Sequence, residues 1–533
     1  MQTRRSFLSA VAAAGGYAAT FLTMQALGLI PMASAQPLRL QRGVRHGARV
    51  VVLGAGIAGL SASYELGRAG YDCTVIEARD RSGGRNWTIR RDTQLPMLDG
   101  SRQRCEFDPG LYWDAGAARI PSQHRTVLGY CRELGVALEV EVNATRAARL
   151  ANPNANGGRP IQMRQAVNDT RGAVSELLAK AIGRGALDQE LTAHDKERVR
   201  AFLVQYGDLN ADLIYKGSTR SGYAMAPGAG SQTGVPQDPL SLRVLLDEDL
   251  WNGVLFEDLI DQQATMFQPV GGMDRLPAAF AARLGGSIRY NCEVTAIRRN
   301  GAGVSVEYRN SSTGESNAVA AQYCIATLPP LILAKIPSDF SPPCRQALAD
   351  FDSVDSVKVA WQARRFWERD FGIYGGISWV HGPTSMVWYP SAGLCSDQGV
   401  LIGAYTSGDL GAWLAAKPLQ DQFDLSRQAV ERLHPGHGRE LKKPLAIAWS
   451  KIAYSLGEGV VHRDARSTGR DVLNRPDGPF YFAGDYLSHI GTWQESAIAS
   501  ARHAINMLDE HRRTSPQPSA GQVPLAGVRG SAA

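Results

Sequence analysis

Arg119 stands alone between small residues and a proline, in Gly116-Ala117-Ala118-Arg119-Ile120-Pro121, shortly after the apolar run Leu111-Tyr112-Trp113. A guanidinium offers planar, paired N–H donors that match a carboxylate bidentately, so this residue suits the capture of an acidic group. A solvated surface charge is the competing reading. Lys358 interrupts the apolar strand pattern Ser356-Val357-Lys358-Val359-Ala360-Trp361, where an ammonium is costly unless paired or hydrated. Its ordinary explanation is an edge-strand lysine reaching for water. Gly54-Ala55-Gly56-Ile57-Ala58-Gly59 suggests a third chemistry. Its glycines let a pyrophosphate approach the backbone, and a helix starting at Ile57 supplies N–H donors and positive potential. No nucleophilic triad, metal cluster or histidine base falls in these motifs, which points to binding and orientation around a bound cofactor.

The surrounding pattern supplies elements to position these groups. Arg49-Val50-Val51-Val52-Leu53 reads as a strand leading directly into the glycines, and Leu60, Tyr64, Leu66 and Ala69 recur at helical spacing behind them. Gly70 ends that helix before a second strand, Cys73-Thr74-Val75-Ile76-Glu77. The result is a complete βαβ unit, with Glu77 placed 18 residues beyond Gly59 (77 minus 59), where a carboxylate can accept bonds from ribose hydroxyls.

Further strand signals occur at 287 to 290, 293 to 297, 304 to 308, 356 to 361 and 400 to 405. Between 150 and 262 the character changes to Asn/Gly-rich loops, helical stretches at 173 to 182 and 197 to 206, and a Gly/Ser/Pro-rich segment. That change suggests an inserted, mainly helical lobe. The lobe is expected to shape the entrance to a site, and its Tyr206, Tyr215, Tyr223, Trp251 and Phe256 point to aromatic or large apolar ligands.

A chain of 533 residues, 44% hydrophobic and 20% charged, can bury a large core in two or three domains. Its net charge of +6 is small for that length and gives no case for nucleic acid. Seven scattered cysteines contain no CxxC pair, so the usual zinc and iron–sulfur spacings and a disulfide framework are ruled out, while an oxidising compartment would permit one or two bridges and the odd count leaves at least one thiol unpaired. Thr3-Arg4-Arg5-Ser6-Phe7-Leu8, an apolar stretch and Ala33-Ser34-Ala35 make residues 1 to 35 an expected twin-arginine export signal. A retained membrane anchor is the alternative. The expected partners and place are therefore the twin-arginine machinery and a periplasmic or secreted destination, with a cofactor loaded before export. Residues 513 to 533, rich in Pro, Gly, Ala and Ser, read as a disordered tail.

Glu77-Ala78-Arg79-Asp80-Arg81-Ser82-Gly83-Gly84-Arg85 resembles the segment of the flavin-containing amine oxidase superfamily in which the glycine pair and arginine meet the flavin side of the pyrophosphate. Phe480-Tyr481-Phe482-Ala483-Gly484-Asp485 resembles that family's second nucleotide signature, with Asp485 at the cofactor; a helix cap is its plain alternative. Val270-Gly271-Gly272-Met273-Asp274 and the later Glu293-Val294-Thr295-Ala296-Ile297 are similar to the middle segment, which places Val294 against the adenine. The resemblance implies an α/β (α+β) fold. It would comprise a Rossmann-like FAD domain from 46 to 90, 265 to 350 and 474 to 512, and a mixed-sheet substrate domain from 105 to 148 and 351 to 473. The helical insertion would cover 150 to 262.

Within the family, Gly116 to Pro121 resembles the Gly-x-x-Arg-x-Pro segment of L-amino-acid oxidases, whose arginine forks onto the substrate α-carboxylate while Gly116, Ala117 and Ala118 lie along the flavin. The resemblance implies a second carboxylate ligand in Tyr405, an aromatic wall in Trp388, and a water held near the flavin by Lys358. Gly491-Thr492-Trp493-Gln494-Glu495-Ser496-Ala497-Ile498 is similar to the C-terminal segment that walls the pocket with Trp493, offers the Thr492 carbonyl to the substrate amine, and meets the flavin at Ala497. The family frequently has glycine at the Thr492 position.

The implied reaction is oxidative deamination of an L-amino acid with O2, yielding a 2-oxo acid, ammonia and hydrogen peroxide. Ser455-Leu456-Gly457-Glu458-Gly459 lacks the flavin-linking cysteine of covalent relatives, so noncovalent FAD is expected. A homodimer is the expected assembly. An amine or polyamine oxidase and an amino-acid 2-monooxygenase remain open, and a non-catalytic flavoprotein or NAD-dependent dehydrogenase fits the motifs less well.

Overall fold

The computed structural model describes residues 38–40, 47–301, 303–464 and 466–514. The export segment and residues 515 to 533 of the tail lie outside the described residues. Among the described residues no helix is long and apolar enough to cross a membrane. All seven cysteines are free thiols, and only Cys395 is exposed.

A five-stranded sheet has the order Ile288–Arg289, Asp72–Ile76, Arg49–Leu53, Tyr323–Ala326, Phe480–Phe482. Every pairing in it is parallel. Parallel strands are covered on both faces, which is why Val50, Val51, Val52 and Leu53 form an unbroken apolar run at 1% exposure or less. Helix Ile57–Arg68 lies on this sheet and packs against the C-terminal helix Gln494–Thr514. Leu60 and Leu66 share one core with Ile498, Ala501, Ile505 and Leu508. Three stretches far apart in sequence thus meet around the first βαβ unit.

A second, seven-stranded sheet has the order Ile161–Gln162, Arg149–Ala151, Gly376–Val380, Met386–Tyr389, Gln398–Ser407, Ser356–Arg364, Lys442–Ala448. It is mixed, because Gly376–Val380 runs parallel to Arg149–Ala151 while the remaining neighbours are antiparallel. The expected strands over 293 to 297, 304 to 308, 356 to 361 and 400 to 405 all form within longer elements, whereas 287 to 290 shrinks to Ile288–Arg289.

In the insertion, helices Met163–Gly183 and Ala193–Gly207 contain the two expected helical stretches. The residues that lead into it are strands rather than helices. They pair into the seven-stranded sheet as Arg149–Ala151 and Ile161–Gln162, so the helical hairpin is anchored on a sheet edge.

A small three-stranded sheet joins Ile120–Pro121, Met266–Pro269 and Leu138–Glu141. Met266 is opposite Pro121 on one side and Glu141 on the other. This register holds the segment carrying Arg119 beside residues 141 to 143.

Candidate active site

One cavity of about 870 Å³ is lined by both the glycine-rich unit and the seven-stranded sheet. Its nucleotide end is shaped for close backbone approach. Gly54 adopts φ +98°, and its N–H donates to the Ile76 carbonyl at 2.8 Å. A Cβ on Gly56 would meet no atom of the described residues within 4 Å, which leaves that face open to a ligand.

Gly59 behaves differently from its assignment as a cofactor contact. It does not line the cavity, and a Cβ there would fall inside van der Waals contact of the Gly54 carbonyl oxygen. Its lack of a side chain lets the helix sit against the strand end.

Glu77 is 4% exposed and accepts the Ala55 N–H at 2.7 Å and the Arg79 N–H at 2.9 Å, one on each oxygen. Each carboxylate oxygen keeps a second lone pair for a ribose hydroxyl. Ala78 and Val294 line the same end, and Arg79 donates to the Ala453 carbonyl at 2.6 Å and the Ser455 hydroxyl at 2.8 Å. Gly83 and Gly84, at φ +100° and +58°, fold the next loop back onto the unit, and the Gly83 N–H donates to the Ala55 carbonyl at 2.8 Å.

Arg85 donates to Asp485 as an ion pair and to the Glu458 carbonyl. Asp485 therefore ties the two signatures together rather than serving as a helix cap. Gly484, Thr492, Trp493 and Ala497 complete that wall. A dinucleotide fits this cradle, since the open face at Gly56, the glycine turn and the buried ribose-type carboxylate lie along one cavity.

Strand register builds the other end. Lys358 is directly opposite Tyr405, and Met386–Tyr389 lies on the far side of the Tyr405 strand. Trp388 consequently stacks on Tyr405, with ring centroids 6.4 Å apart and 21° between planes. Lys358 is 3% exposed, donates from Nζ to the Gly116 carbonyl at 2.6 Å, and sits 4.7 Å from the Tyr405 ring centroid. Burial lowers its ammonium to about 8, partly opposed by Glu458. Burial also raises the Tyr405 hydroxyl, keeping it a neutral donor.

Gly116 is required where it stands, because a Cβ would collide with the Arg85 carbonyl. Ala117 and Ala118 continue along the cavity to Arg119. Arg119 donates from Nη1 to the Asn143 amide oxygen at 2.5 Å, and its Cζ lies 4.6 Å from the Trp388 centroid and 5.9 Å from the Trp493 centroid. Its only hydrogen-bond partner among the described residues is thus neutral, and four of its five N–H donors remain for a ligand. The surface-charge reading does not fit a guanidinium enclosed by aromatic rings.

Several neighbours were not legible in the sequence. Neither Asn143 nor Glu141 falls in any of the motifs. Glu458 presents its carboxylate to the Ser407 hydroxyl and, at 3.5 Å, to the Tyr405 hydroxyl. The methyl group of Thr492 occupies the space that a side chain at Gly459 would need. Of the five lobe aromatics, Phe256 alone is seen at the site, 5.7 Å from the Arg119 Cζ. Tyr206 instead stacks on Phe202, Tyr215 bonds Asp169, and Trp251 and Tyr223 are exposed.

Comparison with known proteins shows the family. Residues 57–504 match the model of the flavin containing amine oxidoreductases. The flavin-dependent L-tryptophan oxidase RebO of Lentzea aerocolonigenes is 27% identical over 494 residues, covering 86% of this chain and 98% of that protein. An L-amino-acid oxidase of Protobothrops flavoviridis is 26% identical over 87% of this chain and 89% of its own. Two solved structures share the fold. Wild-type putrescine oxidase bound to putrescine has TM-score 0.56 and 19% identity over 87% of this chain and all of its own. Cyclohexylamine oxidase from Brevibacterium oxydans IH-35A has TM-score 0.58 and 17% identity over 88% of this chain and 100% of its own. The chain, an oxidoreductase that works with a flavin, belongs to the flavin containing amine oxidoreductase family.

Proposed function

We propose that this enzyme oxidatively deaminates L-amino acids, using noncovalently held FAD and O2 and releasing a 2-oxo acid, ammonia and hydrogen peroxide. The observation that carries this reading is Arg119, a cavity-facing guanidinium whose hydrogen-bond partner is the neutral Asn143. Oxidases of simple amines have no carboxylate to bind and no use for such a group. The L-amino-acid oxidases among the relatives support the same substrate class.

FAD, when bound, would supply the hydride-accepting and oxygen-reducing chemistry. Gly56, Glu77, the Gly84-Arg85 pair and Asp485 would hold it, with Val294 at the adenine and the 116 to 118 backbone along the flavin. The absence of cysteine from residues 455 to 459 supports noncovalent attachment.

The remaining work belongs to the chain's own groups. Arg119 forks onto the α-carboxylate and the Tyr405 hydroxyl donates a further bond, which fixes the Cα–H by orientation. The Thr492 carbonyl accepts from the amino group, and Trp388 and Trp493 keep water from the reacting face. Lys358 keeps two ammonium protons beyond the one given to Gly116, enough to hold a water and to stabilise negative charge developing on oxygen.

Lys358→Met is therefore expected to slow reoxidation of the reduced enzyme on the order of 10²-fold, with anaerobic reduction nearly unchanged, as read by stopped-flow absorbance. In the wild type the reoxidation rate is expected to fall as pH rises through about 8, where the ammonium loses its proton. We also infer twin-arginine export of the folded, flavin-loaded protein to the periplasm or beyond, on the strength of Arg4-Arg5 and Ala33-Ser34-Ala35, and assembly as a homodimer.

The test is anaerobic mixing of the yellow protein with L-amino acids, D-isomers and the matching decarboxylated amines, followed by aerobic product analysis. Bleaching by L-amino acids with 2-oxo acid formation is the expected result. Bleaching by amines alone overturns the substrate class, and a decarboxylated amide product overturns deamination in favour of a 2-monooxygenase.

A further inference from the structure

Val140 and Glu141 reverse the usual pattern of a strand, since the valine is 56% exposed and the glutamate 3% exposed. Burying an ionisable carboxyl while leaving an apolar neighbour in water calls for an explanation at the buried residue. Glu141 and Arg119 are delivered to one end of the three-stranded sheet by the double register of Met266. Trp388 lies between them. Its Nε1 donates to Glu141 Oε1 at 3.2 Å, and its ring lies 4.6 Å from the Arg119 Cζ. The other carboxyl oxygen, Oε2, is buried with no hydrogen-bond partner among the described residues.

We propose that Glu141 is the proton-accepting counterpart of the Arg119 site, taking up a proton at Oε2 when a carboxylate ligand binds Arg119. The proposal rests on the reading of Arg119 as a carboxylate receptor. With the site free, an ionised Glu141 is balanced by the Arg119 charge across the indole. Once a ligand carboxylate engages Arg119, that balance is lost and a like charge is added, which favours the neutral carboxylic acid. No bond other than the O–H forms, and the proton comes from solvent. The free enzyme is poised for this, as burial pushes Glu141 up to about 7 while Arg119 pulls it back. The guanidinium itself remains charged throughout that range.

Other charged or titratable groups are placed differently. Lys358 and Tyr405 lie across the Trp388 ring, the lysine Nζ 5.9 Å from its centroid. Tyr112, Asp114, Arg365 and Tyr389 line a separate cavity of about 130 Å³ behind Trp388, which Glu141 also lines. Arg365 is already paired there with Glu368 at 2.7 Å. Lys358, which titrates near 8, and Asp114, which burial raises to about 6, are the groups that could mimic the effect, and both are retained in Glu141→Gln.

The experiment titrates the holoenzyme with benzoate, a carboxylate without an oxidisable amine, by calorimetry in buffers of differing ionisation enthalpy. The wild type should take up ~0.5 proton or more per benzoate near pH 7.5, and Kd should rise toward about tenfold per pH unit above 7. In Glu141→Gln the uptake should fall at least about twofold, and Kd should stay flat until Lys358 titrates at about 8. Equal uptake in the two proteins overturns the proposal while leaving the Arg119 reading intact. Benzoate binding equally tightly to Arg119→Gln overturns that reading and the proposal with it. If Glu141→Gln does not retain its flavin, infrared difference spectra of the wild type with carboxyl-labelled benzoate decide. A protonated carboxyl C=O band should appear on binding, and its absence overturns the proposal.

Discussion

Arg119→Gln is expected to lower kcat/KM for L-amino acids by about 10³-fold or more, while the decarboxylated amines change by less than about tenfold. Two parallel charge-assisted bonds disappear, and the substrate carboxylate is left in a cavity walled by Trp388, Trp493 and Phe256 with a neutral amide in place of the guanidinium fork. Truncating one partner of a desolvated, hydrogen-bonded charge pair costs about 2–5 kcal/mol, which spans this range. Arg119→Lys should recover only part of the loss, since a point charge cannot fork onto two oxygens. Stopped-flow reduction of each variant by an L-amino acid and its amine provides the measurement. A matching loss for both substrates would make Arg119 a structural residue.

Gly59→Val is expected to yield colourless protein, with FAD affinity down more than about 10²-fold and stability lower by about 1–3 kcal/mol. The new Cβ overlaps the Gly54 carbonyl and sits 2.9 Å from Thr327 Oγ1, so helix Ile57–Arg68 must lift from the strand and carry its N-terminal donors with it. Gly56→Val separates the two causes, because its Cβ meets no atom of the described residues within 4 Å and projects into open space. That variant should lose flavin while its apoprotein melts near the wild-type apoprotein. Thermal unfolding with and without added FAD distinguishes them, as ligand stabilisation scales with the logarithm of ligand concentration over Kd. Retention of yellow colour by Gly59→Val would show that the helix is not held in place by this contact.

The βαβ unit, the Glu77 position, the Gly83-Gly84-Arg85 turn and the strand holding Lys358 were legible in the residues alone, because each depends on neighbours adjacent along the chain. A glycine that must reach φ +98°, or an apolar run buried on both faces, is marked in its own few neighbours. The family motifs extended that reading to Asp485, Trp493 and Arg119, and the fold brings all of them to one cavity.

What surrounds those groups was decided by pairings between distant segments. Nothing near Glu141 announces that Met266 will lie opposite it and turn its carboxyl inward while Val140 faces solvent. Nothing near Gly459 announces the Thr492 methyl that fills its space. Cavity walls belong to this second kind. Phe256 reached Arg119, whereas Tyr206, equally aromatic and in the same insertion, stacked on Phe202 at the surface. Local backbone requirements are written in neighbouring residues, whereas the environment of a side chain, and hence its charge state, depends on register and packing that only the folded chain supplies.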